Sequence, residues 1–98
     1  MRHLEAISKL QERADALKAR GATSLFMFGS TARDEAGRDS DLDLFIDYDP
    51  KRKFSLVDLS ALKNFLEDKL GLRVDLTTRD SLHPALRADI ESSAERIF

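Results

Sequence analysis

The order of apolar patterns along the 98 residues predicts an α/β (α+β) domain, with helices packed on a small mixed β-sheet. Segments whose apolar residues recur at steps of three or four alternate with short apolar or strictly alternating runs. The predicted order is helix, strand, short helix, strand, helix, strand, helix. The length suits about one domain, so residues 1–98 are expected to form a single unit.

Three segments have the helical period. The first ends at Gly21, the second runs from a capping-box pattern at Ser55 to Gly71, and the third carries Pro84 in its first turn. The apolar positions expected to be buried in the first helix are Leu4, Ile7, Leu10, Ala14 and Leu17. Those of the last helix are Leu82, Leu86, Ile90, Ala94 and Ile97.

Three other segments are predicted strands. Residues 24–28 form a nearly continuous apolar run, typical of a strand covered on both faces. In the predicted strand 42–47 the aliphatic side chains alternate with Asp43 and Phe45, and Asp41 directly precedes the strand. Both carboxylates are therefore expected on one face. In residues 73–77, Asp75 points away from the aliphatic side in the same way.

Composition and charge exclude several classes of function. The chain has no cysteine, which excludes disulfide scaffolds, thiolate metal sites and cysteine nucleophiles. It has neither a secretory signal nor an apolar run long enough for a membrane, so a cytoplasmic protein without membrane contact is expected. Residues 30–49 hold seven acids and two bases, and no basic stripe is present, so direct DNA binding is not expected.

The pattern that predicts chemistry is Gly29-Ser30, ten intervening residues, and then Asp41-Leu42-Asp43. Glycine lets backbone amides approach a ligand, and the start of a helix after it can hold phosphate oxygens. Paired carboxylates on one strand face are hard ligands for Mg²⁺ or Mn²⁺, and Asp75 can complete a cluster of three. Two metal ions held there could activate an attacking hydroxyl and stabilise a pyrophosphate leaving group.

These residues carry a resemblance to a known family. The segments Phe28-Gly29-Ser30-Thr31-Ala32-Arg33 and Ser40-Asp41-Leu42-Asp43-Leu44 resemble the minimal nucleotidyltransferases (MNT proteins) of the DNA polymerase β-like nucleotidyltransferase superfamily. The resemblance extends from residue 4 to residue 97 and implies a nucleotidyltransferase fold. It also implies triphosphate binding by Gly29 and Ser30, and metal binding and catalysis by Asp41, Asp43 and Asp75.

The resemblance implies a function and a partner. Many minimal members are antitoxins that transfer AMP from ATP to a tyrosine of an all-helical HEPN toxin. The expected cofactor is therefore Mg²⁺, as two ions, with ATP as nucleotide donor and a hetero-oligomer with the toxin. Two other interpretations stay open: a non-catalytic module that neutralises its partner by binding, and nucleotidyl transfer to a small molecule or an RNA end.

Several residues keep two interpretations. Arg33 either contacts phosphate or pairs with a neighbouring acid such as Asp34, which stands where relatives frequently have glycine. Residues 51–53, Lys-Arg-Lys, form either a solvated loop or a contact with nucleotide, RNA or an acidic partner. Phe45 shares the aspartate face and is a candidate for lining a nucleotide pocket.

Overall fold

The computed structural model describes residues 3–29 and 42–98 of the chain. The helices are α1 (His3–Glu12), α2 (Ala14–Ala19), α3 (Leu56–Leu70) and α4 (Pro84–Ser93). The strands are β1 (Ala22–Phe28), β2 (Leu42–Tyr48), β3 (Val74–Thr78) and β4 (Glu95–Arg96), and a 3₁₀ turn, Arg79–Ser81, follows β3. The predicted helix after Gly29 lies outside the described residues.

The sheet is mixed, as the sequence predicts. Its strand order is β3-β2-β1-β4. Strand β1 runs antiparallel to both β2 and β4, whereas β2 and β3 are parallel and are joined through α3. The prediction of a small mixed sheet with packed helices is therefore confirmed, with four strands rather than three.

One face of the sheet forms the core. Strand residues Leu25, Met27, Leu44 and Leu76 are buried there in a single hydrophobic cluster. The helices contribute to the same cluster Ala6 and Leu10 from α1, Leu17 from α2, and Leu62 and Leu66 from α3. Because α1, α2 and α3 all pack on this face, the alternate residues of each strand lie on the opposite face, here called the open face.

Helix α3 has the ends that its sequence predicts. The Ser55 side chain accepts a hydrogen bond from the Asp58 backbone N–H, and the Asp58 carboxylate accepts one from the Ser55 N–H. This reciprocal pair satisfies two donors that would otherwise be unpaired at the helix start. Gly71 ends the helix with φ of 69°, a left-handed conformation that glycine adopts at low cost.

The prediction of the last helix is wrong beyond Ser93. The chain leaves the helix at Ala94 and forms the short strand β4 beside β1. The Ile97 N–H donates to the Leu25 carbonyl over 2.8 Å, and the Leu25 N–H donates to the Phe98 carbonyl over 3.1 Å. Leu86, Ile90, Ala94 and Ile97 are spaced as on one helix face, but they lie in two different elements. Ile97 is buried beside β1, whereas α4 itself buries no residue.

The first helix is also divided. The sequence predicts one continuous helix up to Gly21, but the structure has α1 and α2 with a break at Arg13. Leu10 and Leu17 are fully buried as predicted, whereas the prediction that Leu4 is buried is wrong, because its side chain is 77% exposed. In the described part of the chain, no helix has the length and apolar character that crossing a bilayer requires.

Ile97→Ala and Leu86→Ala test the division of the C-terminal segment. Ile97 is 5% exposed and Leu86 is 54% exposed. We expect Ile97→Ala to lower the free energy of unfolding by about 2–4 kcal/mol because it empties part of the core. We expect Leu86→Ala to change it by less than about 0.5 kcal/mol. Urea unfolding measures both, and equal losses would contradict the strand assignment.

Candidate active site

Two of the three predicted carboxylates are neighbours on the open face. Asp43 of β2 and Asp75 of β3 are direct partners in the parallel register, and Phe28 of β1 is the partner of Asp43 on the other side. Paired strands lie about 4.8 Å apart, so side chains that leave the same face at the same register position meet. Asp43 is half-buried and Asp75 is exposed. The alternation of both strands therefore brings these residues together as predicted.

Gly29 lies directly against the Asp43 carboxylate. A Cβ atom built on Gly29 would overlap Oδ2 of Asp43 and lie 3.1 Å from its Cγ. The backbone of Gly29 also has φ of +74°, a conformation that other residues adopt only with strain. Glycine is thus required at this position for two separate reasons, its conformation and the close approach of the carboxylate.

This contact joins the two halves of the sequence motif in space. The glycine at the end of β1 touches the aspartate near the start of β2, although 13 residues separate them. The remaining predicted residues, Ser30, Arg33 and Asp41, lie outside the described residues. Within residues 3–29 and 42–98 no group of three His, Cys, Asp or Glu side chains is placed to hold a metal ion. Asp43 and Asp75 supply two of the three carboxylates, and the third is beyond those ranges.

The outer side of Asp75 borders a cavity of about 340 Å³. Lys63, Glu67 and Arg73 line it together with Asp75. Glu67 accepts a hydrogen bond from the Val74 backbone N–H over 2.9 Å, which fixes the start of the edge strand β3 on helix α3. Asp75 therefore lies on an anchored strand, with two cationic side chains lining the space beside it.

Phe45 has the predicted face but a different environment from the one expected. Its ring stacks on Phe26, with ring centroids 4.8 Å apart, and it is 1% exposed. The Arg79 guanidinium covers the pair, 4.7 Å from the Phe26 centroid and 5.2 Å from that of Phe45. Phe45 is thus part of a covered aromatic cluster and offers no free ring to a nucleotide. The cover over the two rings is the Arg79 side chain from the turn after β3.

Arg79 is the residue that sequence reasoning missed. Its guanidinium donates two hydrogen bonds to the Asp47 carboxylate, at 2.8 and 3.0 Å, and its Nη1 lies 3.7 Å from Glu91 of α4. The hydrogen bonds to Asp47 raise the pKa of Arg79 above its ordinary value, although partial burial opposes this. One signal was present in the sequence, because Asp47 lies on the same alternating face as Asp43. Arg79 lies 32 residues after Asp47, and no pattern of neighbouring residues indicated that the two would pair.

A further polar pair lies where β2 and β3 end. The Tyr48 hydroxyl donates a hydrogen bond to Oδ2 of Asp80 over 2.7 Å, and the Thr78 hydroxyl donates to Oδ1. The bonds from Thr78 and then Tyr48 lower the pKa of Asp80, and the bond to Asp80 raises the pKa of Tyr48. The pair therefore ties the end of β2 to the turn after β3.

Comparison with known proteins identifies the family to which this geometry belongs. A family model described as a nucleotidyltransferase domain matches residues 7–97. The chain belongs to the nucleotidyltransferase domain family. It is 45% identical over 69 residues to MJ1217 of Methanocaldococcus jannaschii, which is described as a protein adenylyltransferase; the match covers 69% of this chain and 68% of the relative. The expectation of a nucleotidyltransferase enzyme is confirmed by this membership.

Solved structures of nucleotidyltransferases have the same fold. One described as a minimal nucleotidyltransferase is 38% identical, has a TM-score of 0.79 and covers 97% of this chain and 95% of its own. A toxin-antitoxin structure with AMP-PNP matches with a TM-score of 0.76 at 18% sequence identity, and the match covers 94% of this chain and 72% of the other. The structure of a tri-AMPylated Shewanella oneidensis HEPN toxin in complex with an MNT antitoxin matches with a TM-score of 0.65 at 15% sequence identity. The match covers 90% of this chain and 68% of the other. The resemblance to the minimal branch is confirmed, and the last two likenesses concern the fold alone.

Gly29→Ala and Gly71→Ala form a matched pair, because both glycines have nearly the same φ, +74° and +69°. The Cβ of Gly71→Ala enters open space, whereas that of Gly29→Ala overlaps the Asp43 carboxylate. We expect Gly71→Ala to cost about 1–2 kcal/mol of stability from the left-handed backbone alone. We expect Gly29→Ala to cost more and to weaken ATP binding, because Asp43 must move. Thermal unfolding and calorimetry with ATP and Mg²⁺ measure the two effects. Wild-type ATP affinity in Gly29→Ala would contradict the role of this contact.

Titration of Tyr48 tests its bond to Asp80. The chain has one tyrosine and no tryptophan, so ultraviolet absorbance of the phenolate reports this residue alone. Because Asp80 raises the Tyr48 pKa, we expect a midpoint above the ordinary value of 10.0, and the contribution of the bond to stability is lost as the pH rises through that midpoint. Asp80→Asn should lower the midpoint towards 10.0. Asp68→Asn removes the same charge at an exposed position of α3 and should leave the Tyr48 midpoint unchanged. Equal midpoints in the wild type and in Asp80→Asn would contradict the hydrogen bond.

Proposed function

We propose that the chain is a Mg²⁺-dependent protein adenylyltransferase that transfers AMP from ATP to a tyrosine hydroxyl of a HEPN-type toxin, and so acts as the antitoxin. The observation that carries the proposal is the register pairing of Asp43 and Asp75 with Gly29 packed against Asp43. It places the motif's glycine and two carboxylates at one point of an open sheet face in a chain of the nucleotidyltransferase family.

The donor set suits Mg²⁺. Asp43 and Asp75 present hard carboxylate oxygens side by side, the ligand chemistry that Mg²⁺ prefers. In the proposal Asp41 joins them, and the three carboxylates hold two ions. Bound Mg²⁺ supplies neutralisation of phosphate charge and makes an acceptor hydroxyl more acidic.

The nucleotide is proposed to lie at the end of β1. Because Gly29 carries no Cβ, the space beside its backbone is open to a phosphate as well as to the Asp43 carboxylate. In the proposal Ser30 and the backbone amides after it donate hydrogen bonds to the triphosphate, and Arg33 offsets part of its charge. The AMP-PNP in the toxin-antitoxin structure of similar fold supports a nucleoside triphosphate as donor.

The transfer step is a single displacement at the α-phosphorus. A bond forms between the tyrosine oxygen and the α-phosphorus, the bond from the α-phosphorus to the bridging oxygen breaks, and pyrophosphate leaves. Asp75 is proposed to accept the phenol proton, since its carboxylate is exposed and therefore accessible to an incoming side chain. Asp43, half-buried against Gly29, is proposed to orient the nucleotide end of the site.

The open face favours a macromolecular acceptor. Helices α1, α2 and α3 pack on the other side of the sheet, and the Asp75 side chain is exposed, so Asp75 is accessible to a large partner. The description of the 45% identical relative as a protein adenylyltransferase supports a protein acceptor. The AMPylated HEPN toxin bound to an MNT antitoxin of similar fold supports the choice of partner. These observations favour transfer to protein over transfer to a small molecule or an RNA end.

Asp43→Asn and Asp75→Asn test the proposal. Each should lower AMP transfer to a HEPN-type partner protein by a factor on the order of a hundred or more. Asp75→Asn should leave thermal stability unchanged or slightly raised, because it removes one of two adjacent like charges. Intact-mass spectrometry after incubation with ATP and Mg²⁺ measures transfer, and Asp68→Asn is the control for loss of an exposed carboxylate. If the variant with all three of Asp41, Asp43 and Asp75 changed to Asn fully inhibits a toxin that stays unmodified, the chain neutralises its partner by binding and not by catalysis.

A further inference from the structure

A second surface lies at the opposite end of β2 from the carboxylates. Tyr48, the last residue of β2, follows Asp43 by five positions, which corresponds to about 16 Å along a strand. The loop 49–55 and the first turn of α3 continue from Tyr48. The function proposed above uses no residue of this region.

Two cavities lie side by side at this end. One, of about 270 Å³, is lined by Tyr48, Phe54, Leu56, Leu59 and Asp80, among others. The other, of about 210 Å³, is lined by Asp47, Tyr48, Arg79, Asp80 and Arg87, among others. Both have Tyr48 and Asp80 in their walls, so the 2.7 Å hydrogen bond between these two side chains separates them. We call the two cavities together the docking groove.

Two large aliphatic side chains stand exposed beside the groove. Leu56 is 81% exposed and Val57 is 76% exposed, at the first two positions of α3. The reciprocal hydrogen bonds of Ser55 and Asp58 hold this turn in place, so the exposure is not that of a frayed helix end. Adjacent exposed apolar residues on an ordered element are typical of a surface that another protein covers.

A basic rim borders the same surface. Lys51, Arg52 and Lys53 are exposed, and within the described residues none of the three takes part in an ion pair. Asp49 accepts a hydrogen bond from the Lys51 backbone N–H over 2.9 Å, which shapes the loop that presents them. The nearby Asp58 and Asp80 carboxylates already accept hydrogen bonds from Ser55 and from Tyr48 and Thr78. Hydrogen bonds from these neutral donors leave both carboxylates charged, so the positive charge of the rim is confined to the exposed run of residues 51–53.

These features select the chemistry of the occupant. The Tyr48–Asp80 pair divides the groove into compartments of about 270 and 210 Å³, each of which suits a single side chain. Nucleic acid is disfavoured, because the basic rim lies next to exposed Leu56 and Val57 and to the Asp47 and Asp80 carboxylates. A protein segment with an apolar side chain for the Phe54–Leu59 cavity and acidic side chains for the rim matches both features.

We infer that the docking groove, with Leu56, Val57 and residues 51–53, binds an apolar and acidic segment of the acceptor protein at a place separate from the reacting carboxylates. The inference rests on the proposed function for the identity of the partner. Because about 16 Å of strand lies between the two places, the groove holds the acceptor protein without contacting its reacting hydroxyl. Its loss should raise the KM for the acceptor protein and leave kcat and ATP binding unchanged.

The principal test combines Leu56→Asp and Val57→Asp in one variant. Aspartate in the first turn of a helix is favourable to the helix dipole, so the variant should fold. Leu4→Asp is the matched control, since Leu4 is 77% exposed in the first turn of α1. Binding is measured by calorimetry to the HEPN-type partner protein, with Asp75→Asn added to each chain to prevent transfer. We expect at least a tenfold loss of affinity in the double variant and less than a twofold change in the control.

A second variant, Lys51→Glu with Arg52→Glu and Lys53→Glu, tests the basic rim. We expect a similar loss of affinity, and a weaker dependence of affinity on salt than in the wild type. Wild-type affinity in either groove variant, or an equal loss in Leu4→Asp, would overturn the inference. Binding of single-stranded RNA or of a second copy of this chain at the docking groove, in place of the partner protein, would also overturn the inference.

The two proposals fail in different ways. Groove-dependent binding with no gain of AMP mass on the partner would remove the adenylyltransferase function and leave the docking groove in place. AMP transfer with an unchanged KM in the groove variants would remove the groove and leave the function. An increased KM with unchanged kcat and unchanged ATP affinity supports both together.

Discussion

The parallel pairing of β2 with β3 is the constraint on which the site depends. It sets Asp43 beside Asp75 across the strands, while the antiparallel pairing of β1 with β2 brings the end of β1 back to the same point. A shift of one residue in either pairing would turn one set of carboxylates toward the core. The Leu42, Leu44 and Ile46 side chains prevent this shift, because they are buried on the other face. The apolar core therefore determines the geometry of the polar site.

The two faces of the sheet are stabilised by different means. On the core face, aliphatic side chains from strands and helices are removed from water, which is the largest favourable contribution to folding. On the open face, stability comes from the Phe26–Phe45 stack and from Arg79, which bonds Asp47 and covers both rings. Arg79 also approaches Glu91, so one side chain connects β1, β2, the turn after β3 and α4. An arginine suits this position because its flat guanidinium can stack and form two parallel hydrogen bonds at once.

The sequence predicted what short-range chemistry determines. The cap at Ser55, the helix ends near Gly21 and at Gly71, and the alternation that places Asp43 and Asp75 on one face all depend on a few neighbouring residues. It did not predict the partner of Asp47 or strand β4, because those depend on pairings between residues far apart in the chain. Gly29 was expected to allow the approach of a ligand, and the sequence did not predict its contact with Asp43, which depends on the pairing of β1 with β2.

Strand β4 has a consequence for solubility. Without it β1 would be an edge strand, and the apolar run Ser-Leu-Phe-Met-Phe at residues 24–28 would present unpaired backbone groups along that edge. Such a segment, rich in β-forming residues and free of charge, is a template for aggregation. Residues 95–98 cover it through bonds to Leu25 and pairing with Phe26 and Met27, and the new edge that they create is only two residues long. A short edge carrying Glu95 and Arg96 is a poor template for another chain, so this small strand keeps the sheet from growing.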